Sequence, residues 1–320
     1  MRATIRDVSR EAGVSIKTVS RVLNGERYVG ADTRAKVEAA VAALDFRPNA
    51  AARTLAGRRA DQVAVVGAAA QAETLVALFA GVRERCASDG MRATLHPVAS
   101  DELAAEVEAL VESGQVGGVV LGPGVSDDRA VLALLGDRDV RVVRVSPGTD
   151  PFATPAVAID EARAAAELTA YLLTLEHRRV AFVGGSPLRA AGTRAALEAA
   201  GVFDPALIVA GADFDAISQL LAGNDPPTAI VAASDEVAAT VLGAAHRLGV
   251  SVPERLSVAG FGDAPLAGQV WPALTTVRVP HRALGWNAAD LLLGDVADDR
   301  RVLPYELVVR DSTAFAGAPA

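Results

Sequence analysis

The chain has 320 residues, of which 51% are hydrophobic, and it carries 31 basic and 39 acidic side chains. This length supports more than one hydrophobic core, and the single cysteine, Cys86, excludes an intrachain disulfide framework and suits a reducing compartment. The N-terminal residues lack the apolar region of a secretory signal, and no apolar run is long enough to span a bilayer, so we expect a cytoplasmic protein without a membrane segment.

The charges are distributed unevenly along the chain. Residues 1–60 have a net charge of +6, whereas the remaining residues have a net charge of −14. This asymmetry suggests that the basic segment meets phosphate groups, although a solvated basic face would give the same balance.

Residues 4–24 predict two short helices that are joined at Gly13. Thr4 and Ser15 can cap them, because each offers a side-chain oxygen to first-turn amides. A third apolar stripe at helical spacing covers residues 37–44 and predicts another helix, with Asp32 or Thr33 as its cap. Helices this short are not stable alone, so we expect their apolar faces to form one small core.

This packing leaves Ile16, Lys17 and Arg21 pointing outward from the second helix. A helix-turn-helix presents such a face to the DNA major groove. Pro48 ends this headpiece near Arg47. Residues 49–57 favour helix through their alanines but lack an apolar face, so we expect them to fold on a partner.

From Val63 onward, short apolar runs alternate with helical patterns. Strand-like runs occur at 63–69, 92–98, 116–121, 140–145, 156–159, 179–184, 206–209, 228–232 and 256–261. Helical patterns occur at 73–89, 101–113, 128–135, 161–175, 189–200, 214–222, 235–248 and 281–293. This alternation predicts doubly wound parallel sheets, and the number of units predicts two lobes with a ligand cleft at the strand ends.

No set of residues indicates catalysis. The chain lacks a phosphate-binding P-loop, a dinucleotide fingerprint and a nucleophile elbow. Its four histidines lack metal-ligand spacing. We therefore expect no enzymatic activity, no cofactor and no metal site.

Several stretches in this order are typical of one family. They are GVSIKTVSRVLN at 13–24, TRAKVEAA at 33–40, RPNAAARTLAG at 47–57 and SVPERLSVAGFGD at 251–263. Together they resemble the LacI/GalR family of bacterial transcriptional regulators. The resemblance implies an all-α helix-turn-helix headpiece and an α/β core of two doubly wound parallel-sheet lobes, similar to periplasmic binding proteins.

The implied domains are the headpiece at 1–47, a hinge helix and linker at 48–60, and the effector-binding core at 61–320. The core would divide into an N-lobe (about 61–157 plus 281–303) and a C-lobe (about 158–280 plus 304–314).

The resemblance also implies how DNA is contacted. Ile16, Lys17 and Arg21 match base-reading positions, and Leu55 matches a leucine that wedges into the minor groove. The positions that match phosphate contacts are Thr4, Ser15, Thr18, Ser20, Asn24 and Thr33. The alternatives are pure helix capping for Ser15, a solvated charge for Lys17 and anchoring of the linker for Leu55.

The effector site implied by the resemblance consists of Arg144, Arg189, Phe214, Ser234 and Asp235. Gly262 stands where the family commonly has an aspartate that accepts hydrogen bonds from sugar hydroxyls, so an acceptor is lost. Arg144 stands where some members have another aspartate, so a cation is gained. We take this as favouring an acidic sugar or sugar phosphate. The alternative is that Arg144 pairs with Asp263 or Asp235 and meets no ligand.

These features predict a homodimeric, sequence-specific DNA-binding regulator, most simply a repressor. It would bind a pseudo-palindromic double-stranded operator under the control of a small metabolite held between the lobes. No heptad tail follows LVVRDST at 307–313, which favours a dimer over a tail-assembled tetramer. The alternatives are a solute-binding protein for carbohydrate uptake, which the headpiece opposes, and a sugar-metabolising enzyme, which lacks a catalytic set.

Overall fold

The computed structural model describes residues 5–15, 18–19, 22, 30–43, 62–99, 101–148, 154–294 and 300–317. The chain divides into two compact units, Met1–Asp61 and Gln62–Ala320. None of the helices in the described ranges combines the length and hydropathy needed to cross a bilayer.

The first unit contains helix α1 (Ile5–Ala12) and helix α2 (Ala31–Ala43). Gly13 ends α1 in the left-handed region (φ +65°), which a glycine adopts without strain. The buried side chains of this unit form one cluster, which consists of Val8, Ala12, Val19, Val22, Val37 and Ala40. The predicted three-way packing of the headpiece is therefore present.

The second unit contains two six-stranded sheets. The strands of the first sheet are β1 (Gln62–Ala68), β2 (Arg92–Val98), β3 (Val116–Leu121), β4 (Arg141–Val145), β5 (Ala156–Ala158) and β11 (Arg300–Val302). Their spatial order is β11-β5-β4-β3-β1-β2, and every pair is parallel.

The strands of the second sheet are β6 (Val180–Val183), β7 (Ile208–Val209), β8 (Ala229–Ala232), β9 (Ser257–Gly262), β10 (Thr275–Arg278) and β12 (Glu306–Val308). Their order is β12-β10-β9-β8-β6-β7, and all pairs are parallel except β10 with β12. The two parallel-dominated sheets confirm the predicted fold class.

Helices flank both sheets. They are α3 (Ala72–Ser88), α4 (Leu103–Glu112), α5 (Arg129–Asp137), α6 (Glu161–Thr174), α7 (Pro187–Ala199), α8 (Phe214–Leu221), α9 (Asp235–Arg247) and α10 (His281–Leu293). Helices α3 and α10 approach closely, because a Cβ on Gly285 would lie only 1.9 Å from the Leu78 carbonyl oxygen.

The chain passes between the two sheets three times. It crosses from β5 to α6, from β10 to α10 and from β11 to β12. Helix α10 packs against strands of the first sheet, whereas α6 packs against strands of the second. Each sheet is therefore assembled from segments that are far apart in the sequence.

Candidate functional site

Much of the predicted DNA-reading face lies outside the described residues. This applies to Thr4, Ile16, Lys17, Ser20, Arg21, Asn24 and Leu55. Of the predicted phosphate contacts, the structure describes Ser15, Thr18 and Thr33.

The Ser15 side chain makes the capping hydrogen bond that was predicted for the segment after Gly13. Its Oγ accepts a hydrogen bond from the Thr18 amide (3.1 Å) and lies 2.9 Å from Thr18 Oγ1. Ser15 is exposed, so its hydroxyl faces solvent while it caps. Helix α2 begins at Ala31, two or three residues earlier than a cap at Asp32 or Thr33 predicts, which places both residues inside its first turn.

In the second unit, most of the predicted effector residues lie at the carboxyl ends of strands or in the segments that follow them. Arg144 lies in β4, Ser234 and Asp235 follow β8, and Arg189 lies in the helix that follows β6. Open α/β sheets bind their ligands at this edge. The contacts of each side chain decide what it can offer to a ligand.

Arg144 is 1% exposed and is paired within its own sheet. Its Nη1 donates to Asp127 Oδ1 (3.1 Å), and Asp127 Oδ2 accepts from the Gly148 amide (2.7 Å). This pair joins the loop after β3 to the loop after β4. The predicted alternative, in which Asp263 or Asp235 is the partner of Arg144, is wrong.

Asp263 has partners of its own. Arg278 Nε and Arg310 Nη2 each donate to it at 2.6 Å. The two guanidinium groups hold the pKa of the Asp263 carboxyl below its ordinary value, against the opposing effect of burial. Asp263 therefore ties the end of β9 to β10 and to the segment after β12.

Arg189 is held by a two-point ion pair. Its Nε donates to Glu161 Oε2 (3.0 Å) and its Nη2 to Glu161 Oε1 (3.1 Å). Its Nη1 donates to the Ala233 carbonyl oxygen, and its guanidinium carbon lies 3.9 Å from the centroid of the Phe261 ring. Such a planar fork on a carboxylate is the arrangement that a guanidinium favours.

Asp235 is 1% exposed, and both of its carboxylate oxygens have protein partners. Oδ1 accepts from Thr276 Oγ1 (2.7 Å), and Oδ2 accepts from the Ala264 amide (2.8 Å). Burial raises the pKa of the Asp235 carboxyl, and these two hydrogen bonds act in the opposite direction. The arrangement braces the loop after β9.

Gly262 stands where the family commonly has an aspartate, and its backbone conformation favours glycine. Its φ of +134° lies in the range that L side chains rarely adopt, and a Cβ there would lie 3.2 Å from Asp235 Oδ2. The loss of the acceptor at this position therefore accompanies a backbone conformation that favours glycine.

The structure does not bring Phe214 to the other effector residues. Ser234 caps α9 through a hydrogen bond from the Val237 amide (3.3 Å), so Asp235 lies at the start of that helix. Arg247, at the other end of α9, lies 4.8 Å above the Phe214 ring. The twelve residues between Asp235 and Arg247 correspond to about 18 Å along a helix.

Sequence reasoning missed Glu161, Asp127, Phe261 and His281. The carboxylates and Phe261 lack a local sequence signal, because their partners lie on other segments. His281 starts α10, and burial together with the charge of Arg189 lowers its pKa to about 4. Its buried Nδ1 has no hydrogen-bond partner in the described part of the chain.

A small cavity lies where the chain crosses from β5 to α6. Its volume is about 100 Å³, and its lining includes Ser146, Asp160, Glu161, Leu188 and Arg300. A dry cavity of roughly 150 Å³ holds benzene, so this cavity accepts only small groups as it stands. Within the described ranges, no three His, Cys, Asp or Glu side chains are grouped so as to hold a metal ion.

Both arginines of the predicted effector site are paired with carboxylates. Arg144 faces Asp127 and Arg189 faces Glu161, so each guanidinium has a carboxylate partner. Among the described residues, Arg144 and Arg189 therefore do not by themselves supply the positive charge from which an anionic effector was predicted.

Comparisons with known proteins agree with this architecture. The sequence profile of bacterial regulatory proteins of the lacI family matches residues 4–49, and that of the periplasmic binding protein-like domain matches residues 169–313. The chain is 30% identical to the HTH-type transcriptional regulator DegA of Bacillus subtilis (strain 168), over 98% of this chain and 99% of the relative. It is 31% identical to the ribose operon repressor of Escherichia coli (strain K12), over 91% of this chain and 92% of the relative.

Two solved structures are similar to the whole fold. One is a complex of the transcriptional regulator CelR with cellobiose, with a TM-score of 0.73, 28% identity and coverage of 97% of this chain and 100% of that chain. The other is the lac repressor dimer bound to operator and the anti-inducer ONPF, with a TM-score of 0.73, 26% identity and coverage of 98% and 100%.

Proposed function

Because the chain belongs to the LacI family of bacterial transcriptional regulators, we propose that it represses transcription as a homodimer on a pseudo-palindromic operator, under the control of a small metabolite. The chain is a DNA-binding regulator and not an enzyme. A solute-binding role for carbohydrate uptake does not account for the match at residues 4–49. We place the protein in the cytoplasm, where its operator would be.

The observation that carries the DNA-binding proposal is the capped, packed headpiece. Val8, Val19 and Val37 are completely buried in one core, and the Ser15 hydroxyl accepts from the Thr18 amide, as the cap of the predicted reading helix would. In this proposal Ile16, Lys17 and Arg21 contact base edges. The phosphate contacts would come from Thr4, Ser15, Thr18, Ser20, Asn24 and Thr33.

Leu55 would act with its counterpart in the partner subunit. Paired leucines that enter the minor groove unstack a base step and bend the operator, so operator binding would depend on both subunits. The similar lac repressor structure is a dimer on its operator, which supports this arrangement.

The effector would bind between the two sheets of the second unit. Arg189 and Asp235 lie near the strand ends there, and the similar CelR structure contains cellobiose. For such a ligand to control transcription, it must bind one conformation of the regulator better than the other. We propose a sugar or a sugar derivative as the metabolite.

A mobility-shift experiment tests the DNA-binding proposal. Operator sequences are first selected from a random duplex pool by the full chain. Arg21→Ala should then relax the preference at one base pair of each half-site, at a cost of about 1–3 kcal/mol for the preferred sequence. Asn24→Ala should weaken binding to all sequences alike. If neither variant changes binding, the assignment of the reading face is wrong.

A further inference from the structure

The strongest unexplained feature of the cleft is the partner of Arg189. Arg189 is the residue that the proposed function offers to an effector, yet Glu161 already accepts from two of its nitrogens, at 3.0 and 3.1 Å. Both side chains are largely buried, with 20% of Arg189 and 10% of Glu161 exposed. The guanidinium face that would grip a ligand carboxylate or phosphate is therefore filled by the protein itself.

The backbone around Glu161 fixes this contact. Glu161 is the first residue of α6, and Asp160 caps the helix by accepting from the Arg163 amide (3.0 Å). Helix α7, which carries Arg189, packs directly on α6, because a Cβ on Gly192 would lie 1.9 Å from the Ala162 carbonyl oxygen. Two helices in such close contact hold Glu161 and Arg189 opposite each other.

Glu161 also faces the space that a ligand would enter. It lines the cavity at the β5–α6 crossover together with Asp160, Ser146 and Leu188, the residue before Arg189. A ligand group that enters there meets the carboxylates of Asp160 and Glu161, the Ser146 hydroxyl and the side chain of Arg300. A ligand hydroxyl can donate to these oxygens, whereas a ligand carboxylate would bring a like charge beside Glu161 at low exposure.

We propose that Glu161 determines the ligand specificity of this cleft. By occupying the guanidinium of Arg189, it excludes ligands that carry a carboxylate or phosphate, and it leaves the site to an uncharged molecule with several hydroxyl groups. This inference rests on the proposed effector site. An anionic ligand gains access to Arg189 only when the charge of Glu161 is removed, since displacing a largely buried carboxylate leaves its charge uncompensated.

Calorimetric titration of the full chain with D-glucuronate and D-glucose at pH 7 tests the proposal. Glu161→Gln keeps the shape of the side chain but removes its charge, and it should bind glucuronate at least about tenfold more tightly than the wild type, a change of roughly 1.4 kcal/mol. Glu161→Ala should also bind glucuronate more tightly than the wild type. Adding Arg189→Lys to Glu161→Gln should abolish the gain, because lysine lacks the planar fork.

Glu198→Gln is the matched control. Glu198 forms an exposed ion pair with Arg194 on α7, so this variant changes the net charge equally without touching the cleft, and it should bind glucuronate like the wild type. The proposal is overturned if Glu161→Gln gains no glucuronate affinity, or if the wild type binds glucuronate more tightly than glucose. The second of these tests, the comparison of glucuronate with glucose, uses the wild type alone and needs no variant. Mobility shift with the same proteins reports separately on the proposed function, because operator binding does not require glucuronate.

Discussion

Replacing Asp235 separates a structural role from an effector role. In the structure the Asp235 carboxylate accepts from Thr276 Oγ1 and from the Ala264 amide, and the residue is 1% exposed. Asp235→Ala leaves both donors without their acceptor in a buried place. Asp235→Asn keeps an oxygen for the Ala264 amide and supplies an NH₂ group that can donate to Thr276 Oγ1.

The two hydrogen bonds set the expected magnitude. Each buried donor left without an acceptor costs about 1–3 kcal/mol, so the two together cost roughly 2–6 kcal/mol. Removing the buried charge, whose pKa is raised by burial, recovers part of this cost. We expect Asp235→Ala to lower the free energy of unfolding by about 3 kcal/mol, which corresponds to roughly 6–12 °C in Tm. Asp235→Asn should stay within about 1 kcal/mol of the wild type.

Urea unfolding followed by circular dichroism measures these differences through the shift of the midpoint at constant slope. The control is Glu236→Ala, which removes the same charge from the neighbouring, exposed residue in the same turn of α9 and should cost less than about 1 kcal/mol. The reasoning is refuted if Asp235→Ala unfolds at the wild-type midpoint. Equal losses in the Ala and Asn variants would show that the charge, and not the two hydrogen bonds, stabilises the loop.

Two further predictions concern stability. Gly285→Ala should destabilise the second unit by at least about 2 kcal/mol, because its methyl group would lie 1.9 Å from the Leu78 carbonyl oxygen. Gly136→Ala, at an exposed helical position with nothing within 4 Å, should instead stabilise the unit by about 0.5–1 kcal/mol. Equal thermal shifts for the two variants would contradict the packing of α3 on α10. The pKa of His281 is lowered from its ordinary 6.5 to about 4, so the folded state binds fewer protons than the unfolded state between these values, and stability falls as the pH falls from 6.5 towards 4. Between pH 7 and pH 5, the free energy of unfolding of His281→Phe should therefore fall by about 2 kcal/mol less than that of the wild type, as measured by urea titrations. If the free energy of unfolding follows the same pH profile in both proteins, His281 is not buried in its neutral form.

The sequence predicted the regular elements of this fold well, because their signal is local. The strand-like runs such as 116–121 and 228–232 agree with β3 and β8 to within one residue, since buried parallel strands are continuous apolar runs. Strands β10, β11 and β12 were not among the predicted runs. They are only three or four residues long, and β11 and β12 lie at sheet edges with exposed residues, so neither alternation nor hydrophobicity marks them.

The cleft was harder to predict than the fold, because its contacts join distant segments. The sequence placed Arg144 and Arg189 near strand ends, but their carboxylate partners, Asp127 and Glu161, lie 17 and 28 residues away. Spacing within an element cannot reveal such pairs. The prediction of an anionic effector took Arg144 as a cation open to the ligand, and its alternative paired Arg144 with Asp263 or Asp235, whereas the structure pairs it with Asp127.

The three crossings of the chain between the two sheets also affect folding during translation. Strand β11 pairs with β5 across almost half of the sequence, and β12 pairs with β10 only after β11 has been laid down. During synthesis on a ribosome, neither sheet can receive its final edge strand until residues 300–308 have emerged from the exit tunnel. Both lobes would therefore be completed together once the segment from Arg300 to Val308 is available, and a nascent chain stalled before Arg300 would expose two open sheet edges to chaperones or to aggregation.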